Sequence, residues 1–261
     1  MWGSGAKNLV KMNVTMKSSC PRIAKPLLAI AAALILAACS SANSEDPLET
    51  TNRAVHGVNV VLDQAALRPA SQIYGTVVPQ PARAGVNNFA SNLSVPGTVV
   101  NDLLQLRLED ALHNTTRFLV NTTVGLGGLF DPATAAGVEA RPSDFGETLH
   151  VWGFGEGAYV ELPVLGPSTT RDSVGIVVDA FLDPLGQVAS ASQMNVVLGS
   201  RIAQRLDQRY AFSATVDSVL YESADSYTQS RLLYLQNRRF TLGETAQAED
   251  DLYDLYEETF E

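Results

Sequence analysis

Cysteine is almost missing from this chain: Cys20 and Cys39 are the only two in 261 residues. Cys20 falls within the expected signal and Cys39 is the expected lipidated residue, so the mature chain is left with no thiol for a disulfide or a Cys-based metal site. Lysine is missing after Lys25, so from Cys39 onward 13 arginines face 28 acidic residues, a formal charge of −15. Nucleic-acid binding is excluded on that balance, because phosphate contacts need a basic surface. Histidine is scarce, with only His56, His113 and His150, and no Gly-x-Ser-x-Gly elbow follows Cys39. The chain is therefore expected to be no enzyme and to need no cofactor or metal. Gly125-Leu126-Gly127-Gly128 and Gly153-Phe154-Gly155-Glu156-Gly157 lack the Lys-Ser/Thr of a phosphate loop, so their glycines signal backbone freedom. No stretch after Cys39 approaches the ~20 apolar residues of a spanning helix. Nor is there the alternating strand series of a membrane barrel.

What is present begins at the N-terminus. An apolar run from Pro26 to Ala38 closes as Leu36-Ala37-Ala38-Cys39, preceded by Lys17, Arg22 and Lys25. Small residues fit a signal-peptidase groove, and a thiolate at Cys39 accepts a diacylglyceryl group before cleavage, so this is the pattern of a bacterial lipoprotein signal. Residues 1–38 are assigned to that signal, with Met16 as the expected start and an upstream extension before it. Cys39 becomes the lipidated first residue of a 223-residue mature chain. Acyl chains contribute ~0.8 kcal/mol per buried methylene, so several of them anchor the chain permanently. Ser40 and Ser41 follow the cysteine where an inner-membrane retention signal would place Asp. The expected location is the outer membrane, on its periplasmic leaflet.

Residues 39–45 form a polar tether. Val55, Val58 and Leu62 predict one amphipathic helix. Ala82, Val86, Phe89 and Leu93 predict a second, ended by Ser94 and Pro96. The strongest periodicity runs from Val99 to Asn121, with Val100, Leu103, Leu104, Leu108, Ala111, Leu112, Thr115, Phe118 and Leu119 on one stripe. Asp102, Arg107, Glu109, Asp110 and Asn114 fall mostly opposite, so the stripe is expected in the core. Nine of the chain's 19 glycines lie between 122 and 172, predicting a loop-rich segment of broken or curved helices. Thr169 and Thr170 before Arg171-Asp172 predict a helix start, with Asp172 near the positive end of the dipole and the helix reaching about 182. Further helices are expected over 188–209, 211–222 and 226–240, with the main domain covering 46–240. Residues 241–261, rich in Asp and Glu with no base, are expected to be a mobile acidic tail.

Several blocks then occur together and in order: DPLETTNR at 46–53, LRPAS at 67–71, VPQPARAGVNNFASNL at 78–93 and VNDLLQ at 100–105. RFLVNTTVGLGGLFDPA follows at 117–133, DFGETLHVWGFGEGAYVELPVLGPSTTRD at 144–172 and YLQNRR at 234–239. With these blocks the chain resembles the MlaA/VacJ family of outer-membrane phospholipid-transport lipoproteins, from Asp46 to about Arg239. The resemblance implies an all-α fold: a ring of amphipathic helices around a central amphipathic channel, seated mainly in the inner leaflet without a spanning barrel. It implies association with a trimeric porin. It also implies removal of mislocalised phospholipid from the outer leaflet to a soluble periplasmic lipid carrier, which serves an inner-membrane ATP-driven complex.

In that family picture the Gly-rich segment supplies a channel lip or gating hairpin: Gly125, Gly127 and Gly128, then Asp144, Phe145, Gly146 and on to Gly166. Porin contact is expected through residues 145–160. The chain departs from the pattern at Thr50 and Thr51, where Gly-Phe is usual, at His56, where an aromatic is common, and at Ala158, where Pro is common. The competing expectation is a porin-associated envelope scaffold that conducts no lipid.

Overall fold

The structure is a computed structural model that describes residues 46–244. The expected signal, Cys39 with its expected lipidation, the expected tether and the acidic segment after Glu244 lie outside the described residues. Helix α1 (Glu49–Leu62) runs through a π-helical turn (Asp63–Leu67) into α2 (Arg68–Val77). Then come α3 (Gln80–Leu104), α4 (Leu108–Thr123), the short α5 (Pro132–Ala135) and α6 (Phe145–Val151). Strands β1 (Tyr159–Leu162) and β2 (Gly166–Thr169) precede α7 (Thr170–Leu182), α8 (Pro184–Val188) and α9 (Ala191–Ala211). The described chain closes with α10 (Ser213–Asp217), a second π-helical turn (Ser218–Glu222) and α11 (Ser226–Thr241). Among the described residues the fold is helical with one two-stranded sheet and no barrel.

Packing follows a closed circuit. From α1 it passes through the first π turn to α2, across to α9, on to α3, then to α6 and α7, and through β2 and β1 back to α1. That circuit is the ring. None of its described helices is long and apolar enough to cross a membrane.

The ring is inverted relative to a water-soluble bundle. Among the described residues, nine apolar side chains are buried against 21 polar or charged ones. The one apolar cluster is small: Tyr159, Tyr227 and Leu235, with Tyr234 against it. The large leucines of the stripe expected in the core face outward instead, with Leu108 67%, Leu112 70% and Leu119 55% exposed, while Ala111 alone of the stripe is buried. On the opposite side Asp102, Asn114, Arg117 and Asn121 are buried, although Arg107 and Glu109 stay exposed. Helix α1 repeats the inversion: Val58 and Leu62 are exposed, while Asn52, His56 and Asp63 are buried. Buried polar groups are tolerable when bonded to one another, and exposed hydrocarbon is tolerable against hydrocarbon, so the pattern fits a lipid-facing exterior.

Two helix boundaries also differ from expectation. Helix α3 does not end at Ser94 and Pro96; it carries Pro96 inside and continues to Leu104. The single helix expected over 99–121 is broken at Leu106, which takes a left-handed conformation with φ 60°. The Arg107 N–H donates to the Asp102 carbonyl (2.9 Å) and the Leu106 N–H to the Leu103 carbonyl (3.1 Å). This is a Schellman termination with leucine in the place glycine usually takes.

The Gly-rich segment, expected as loop with broken or curved helices, contains a short antiparallel hairpin as well as helix. Tyr159 pairs with Thr169 and Leu162 with Gly166 around a Pro163-Val164-Leu165 loop. Aromatic and β-branched residues in β1 suit a strand. Helix α1 serves β1 as a third strand would. The Asn52 amide donates to the Tyr159 carbonyl and accepts from the Glu161 N–H, both at 2.9 Å. Two turns later Asn59 repeats the pair with the Leu162 carbonyl (3.0 Å) and the Val164 N–H (2.8 Å).

Candidate functional site

The interior polar groups gather at several junctions of the ring. At the first, Thr169 caps α7 by accepting from the Asp172 N–H (3.1 Å), which places Asp172 in the helix's first turn. Arg238 on α11 grips Asp172 at 2.9 and 3.1 Å and Asp144 at 2.7 and 2.9 Å. The Tyr234 hydroxyl donates to the same Asp172 oxygen at 2.6 Å. Burial alone would raise the Asp172 carboxyl, but the bonds from Arg238 and Tyr234 outweigh it and hold the group below 3.8. Asp144 caps α6 through the Glu147 N–H (2.8 Å). Gly146 is required here, because a Cβ would strike the Asp172 carboxylate and, at 2.7 Å, Arg238 Nη2.

Beside that junction lies a chain of amides and hydroxyls. Gln105 donates to Thr148 (2.8 Å), Thr148 to Asn101 (3.0 Å), and Asn101 to Asp179 (2.8 Å). Burial raises the Asp179 carboxyl, and it also raises Asp102, which accepts from Asn114. A cavity of roughly 830 Å³ opens among these groups. Thr98, Asn101, Asp144, Asp179, Arg201 and Arg238 share its lining with Ile176, Leu182 and Leu242, so the interior is amphipathic.

Two further junctions brace the fold. Arg209 of α9 makes a two-pronged pair with Asp63 in the first π turn (2.9 Å each) and reaches Asp217 at 2.6 Å. Tyr221 completes that group by donating to Asp63, and burial with the neighbouring carboxylate pushes its hydroxyl up to about 12. On α4, Arg117 bonds Asp131, Thr134 and the Val138 carbonyl, which ties the Gly-rich loop to the helix.

The expected site residues fall into two groups. Asp144, Phe145, Gly146, Arg171 and Asp172 meet where α6, α7 and α11 converge, and Gly166 opens β2 nearby with φ 86°. Gly125, Gly127 and Gly128 form a separate loop after α4. A Cβ on Gly125 would strike the Asn121 and Phe130 carbonyls, Gly127 has φ 74°, and a Cβ on Gly128 would meet the Asn92 side chain at 2.6 Å. Arg238, Asp179, Asn101 and the Arg209–Asp63 pair were not singled out from sequence. Tyr234 and Arg238 carried a usable signal, since they stand one helical turn apart in YLQNRR.

His56 takes the aromatic's place it occupies in sequence by packing edge-on to Tyr227, with centroids 5.7 Å apart. Its Nε2 also lies 3.0 Å from Ser226 Oγ and its Nδ1 3.4 Å from Glu161. Glu161 is in turn held by the Tyr159 hydroxyl and by Asn59 (3.1 Å). These contacts close the joint of α1, β1 and α11, and none of His56, Ser226 and Glu161 lines the 830 Å³ cavity.

A ring of helices with a bonded polar interior and an apolar exterior defines a class: helical proteins shaped to sit against lipid while keeping a hydrophilic path inside. The chain belongs to the MlaA lipoprotein family, whose model matches residues 44–241. It is 35% identical over 224 residues to the intermembrane phospholipid transport system lipoprotein MlaA of Escherichia coli K12, covering 82% of this chain and 86% of that one. The Haemophilus influenzae protein of the same name is 32% identical over 242 residues, covering 87% and 95%. A solved structure described as "Structural basis for maintenance of bacterial outer membrane lipid asymmetry" superposes with a TM-score of 0.66 at 34% identity. It covers 76% of this chain and 98% of that one.

Proposed function

We propose that this protein is the outer-membrane lipoprotein of an intermembrane phospholipid transport system, anchored on the periplasmic leaflet by lipidated Cys39. It removes mislocalised phospholipid from the outer leaflet and passes it through the ring to a soluble periplasmic carrier, beside a trimeric porin. The observation that carries this reading is the inversion of polarity. A head group crossing hydrocarbon loses its hydration, at a cost of several kcal/mol for each unpaired polar group. Asn101, Asp144, Asp179 and Arg238 offer replacement partners along an amphipathic wall, while Ile176, Leu182 and Leu242 accompany the acyl chains. No covalent step is needed. The Gly125–Gly128 loop and the segment from Asp144 to Gly166 serve as lip and gate.

The test is outer-leaflet phospholipid content in cells lacking the protein, read by phospholipase-dependent acylation of lipid A. The content rises on deletion, falls again with the wild-type gene, and stays high with Cys39→Ala. No rise, with the protein located at the outer membrane, would favour the porin-associated scaffold. Complementation by Ser226→Ala belongs in the same panel: restored asymmetry is expected, and its loss in a folded variant would point to hydrolysis by the Ser226–His56–Glu161 set.

A further inference from the structure

Arg171 is a buried cation without adequate partners. It is 4% exposed, yet Nε and Nη2 have no hydrogen-bond partner. Its remaining contacts are long. Nη1 lies 3.4 Å from His150 Nδ1, 3.5 Å from the Phe154 carbonyl and 3.6 Å from Glu244 Oε1, while Nε is 3.6 Å from Asp172. The other buried guanidiniums are held more closely: Arg209 has three bonds of 2.6–2.9 Å, with only its Nη1 unpartnered, and Arg117 has three of 2.6–2.7 Å. An under-bonded buried charge costs free energy that a ligand with several acceptor oxygens would recover.

Arg171 lines a pocket of roughly 560 Å³ walled by the Gly153–Gly157 backbone. A Cβ at Gly153 or Gly155 would meet nothing, so the loop leaves open space at those positions. The pocket sits at the N-terminus of the 13-residue helix α7, whose dipole adds positive potential. The first α7 amides are already bonded, to the Ala158 and Glu156 carbonyls and to Thr169, so the guanidinium is the free donor. Arg239 stands at the same pocket, paired with Glu156 at 2.6 and 3.1 Å. Glu244 already brings a carboxylate to this place, 3.2 Å from His150. It stays 3.6 Å from Arg171, too far for a hydrogen bond.

We propose that the pocket between the Gly153–Gly157 loop and the start of α7 is an anion site for phosphate oxygens, with Arg171 as its fork and Glu244 as a displaceable internal competitor. A tetrahedral phosphate presents more acceptors than a carboxylate, and it can bridge Arg171 and Arg239, whereas Glu244 stays 3.6 Å from Arg171. The phosphate is that of a phospholipid head group or free inorganic phosphate; the lipid source rests on the transport reading above.

Trp152, the one tryptophan after Cys39, adjoins the pocket loop and reports binding by fluorescence in the full lipidated protein in detergent. The probes are dihexanoylphosphatidylglycerol, inorganic phosphate, and dihexanoylglycerol, which has no phosphate. Glu244→Gln should tighten the phosphate-bearing probe about tenfold, and Arg171→Lys, which keeps charge but loses the fork, should weaken it by a similar factor. Dihexanoylglycerol should respond to neither change. Competition by inorganic phosphate assigns the free ion as a ligand; binding of the lipid probe without such competition assigns the head group. If Arg171→Lys does not fold, Glu244→Gln decides alone. Unchanged affinity for both phosphate probes in Glu244→Gln, or no binding of either, overturns the site. Cellular lipid asymmetry is scored separately, so an empty site with intact transport removes this inference and leaves the proposed function standing.

Discussion

A carboxylate can stay ionised inside a protein only when cations and hydroxyls replace its water, and Asp172 shows what that replacement is worth. It is 6% exposed and bound by Arg238 and Tyr234. Asp172→Asn leaves Arg238 short of a charge partner, and the expected loss is about 3 kcal/mol at neutral pH. Since the folded carboxyl titrates below 3.8, its stabilisation is present above that value and lost as pH falls through the depressed one. The difference in thermal midpoint between wild type and Asp172→Asn should therefore be full near neutrality and shrink below about pH 3.8. Asp179 and Asp102 carry the opposite sign, because burial raises them and protonation relieves that cost. A gap that persists unchanged into acid would show that Asp172 is not held as an ion.

At the scale of elements, Leu106 sets the corner between α3 and α4. A leucine at φ 60° lacks the freedom of glycine, so Leu106→Gly should stabilise the protein by about 1 kcal/mol. Leu106→Val, β-branched in the same conformation, should destabilise it. Thermal unfolding in detergent separates the two, and equal midpoints would remove the claim of strain. The corner also shows why sequence reading missed it: neither Gly nor Pro marks 105–107, and the apolar spacing continues across the break. By contrast, α7 was legible because its cap is local: Thr169 and Asp172 lie three residues apart. Helix α11 was legible by periodicity, ending one residue beyond the expected 240. The strands and register of the hairpin were not, since glycines at 153–157 and 166 announce flexibility without saying which segments pair, and β1's further partner is an α1 asparagine 107 residues away from Tyr159.

For the whole molecule, periodicity located the stripe Leu108, Leu112, Leu119 but not the side it faces. Direction depends on whether water or hydrocarbon surrounds the chain, and in hydrocarbon the usual sorting of residues reverses. The family resemblance carried that information, and the burial of Asn101, Asp102, Asn114 and Asn121 agrees with it. Asp144, Gly146 and Asp172, marked from sequence, do come together at one junction, and Asp144 lines the cavity, whereas Arg238 and Asp179 join them only when distant helices close the ring. The central claim is that phospholipid passes through this polar interior. Thr98 lines both the 830 Å³ cavity and the adjoining 260 Å³ one, so Thr98→Trp places an indole in the path. The decisive measurement is outer-leaflet phospholipid in cells whose only copy carries Thr98→Trp at wild-type abundance. A rise to the level of the deletion strain is predicted; normal asymmetry would contradict passage through the ring.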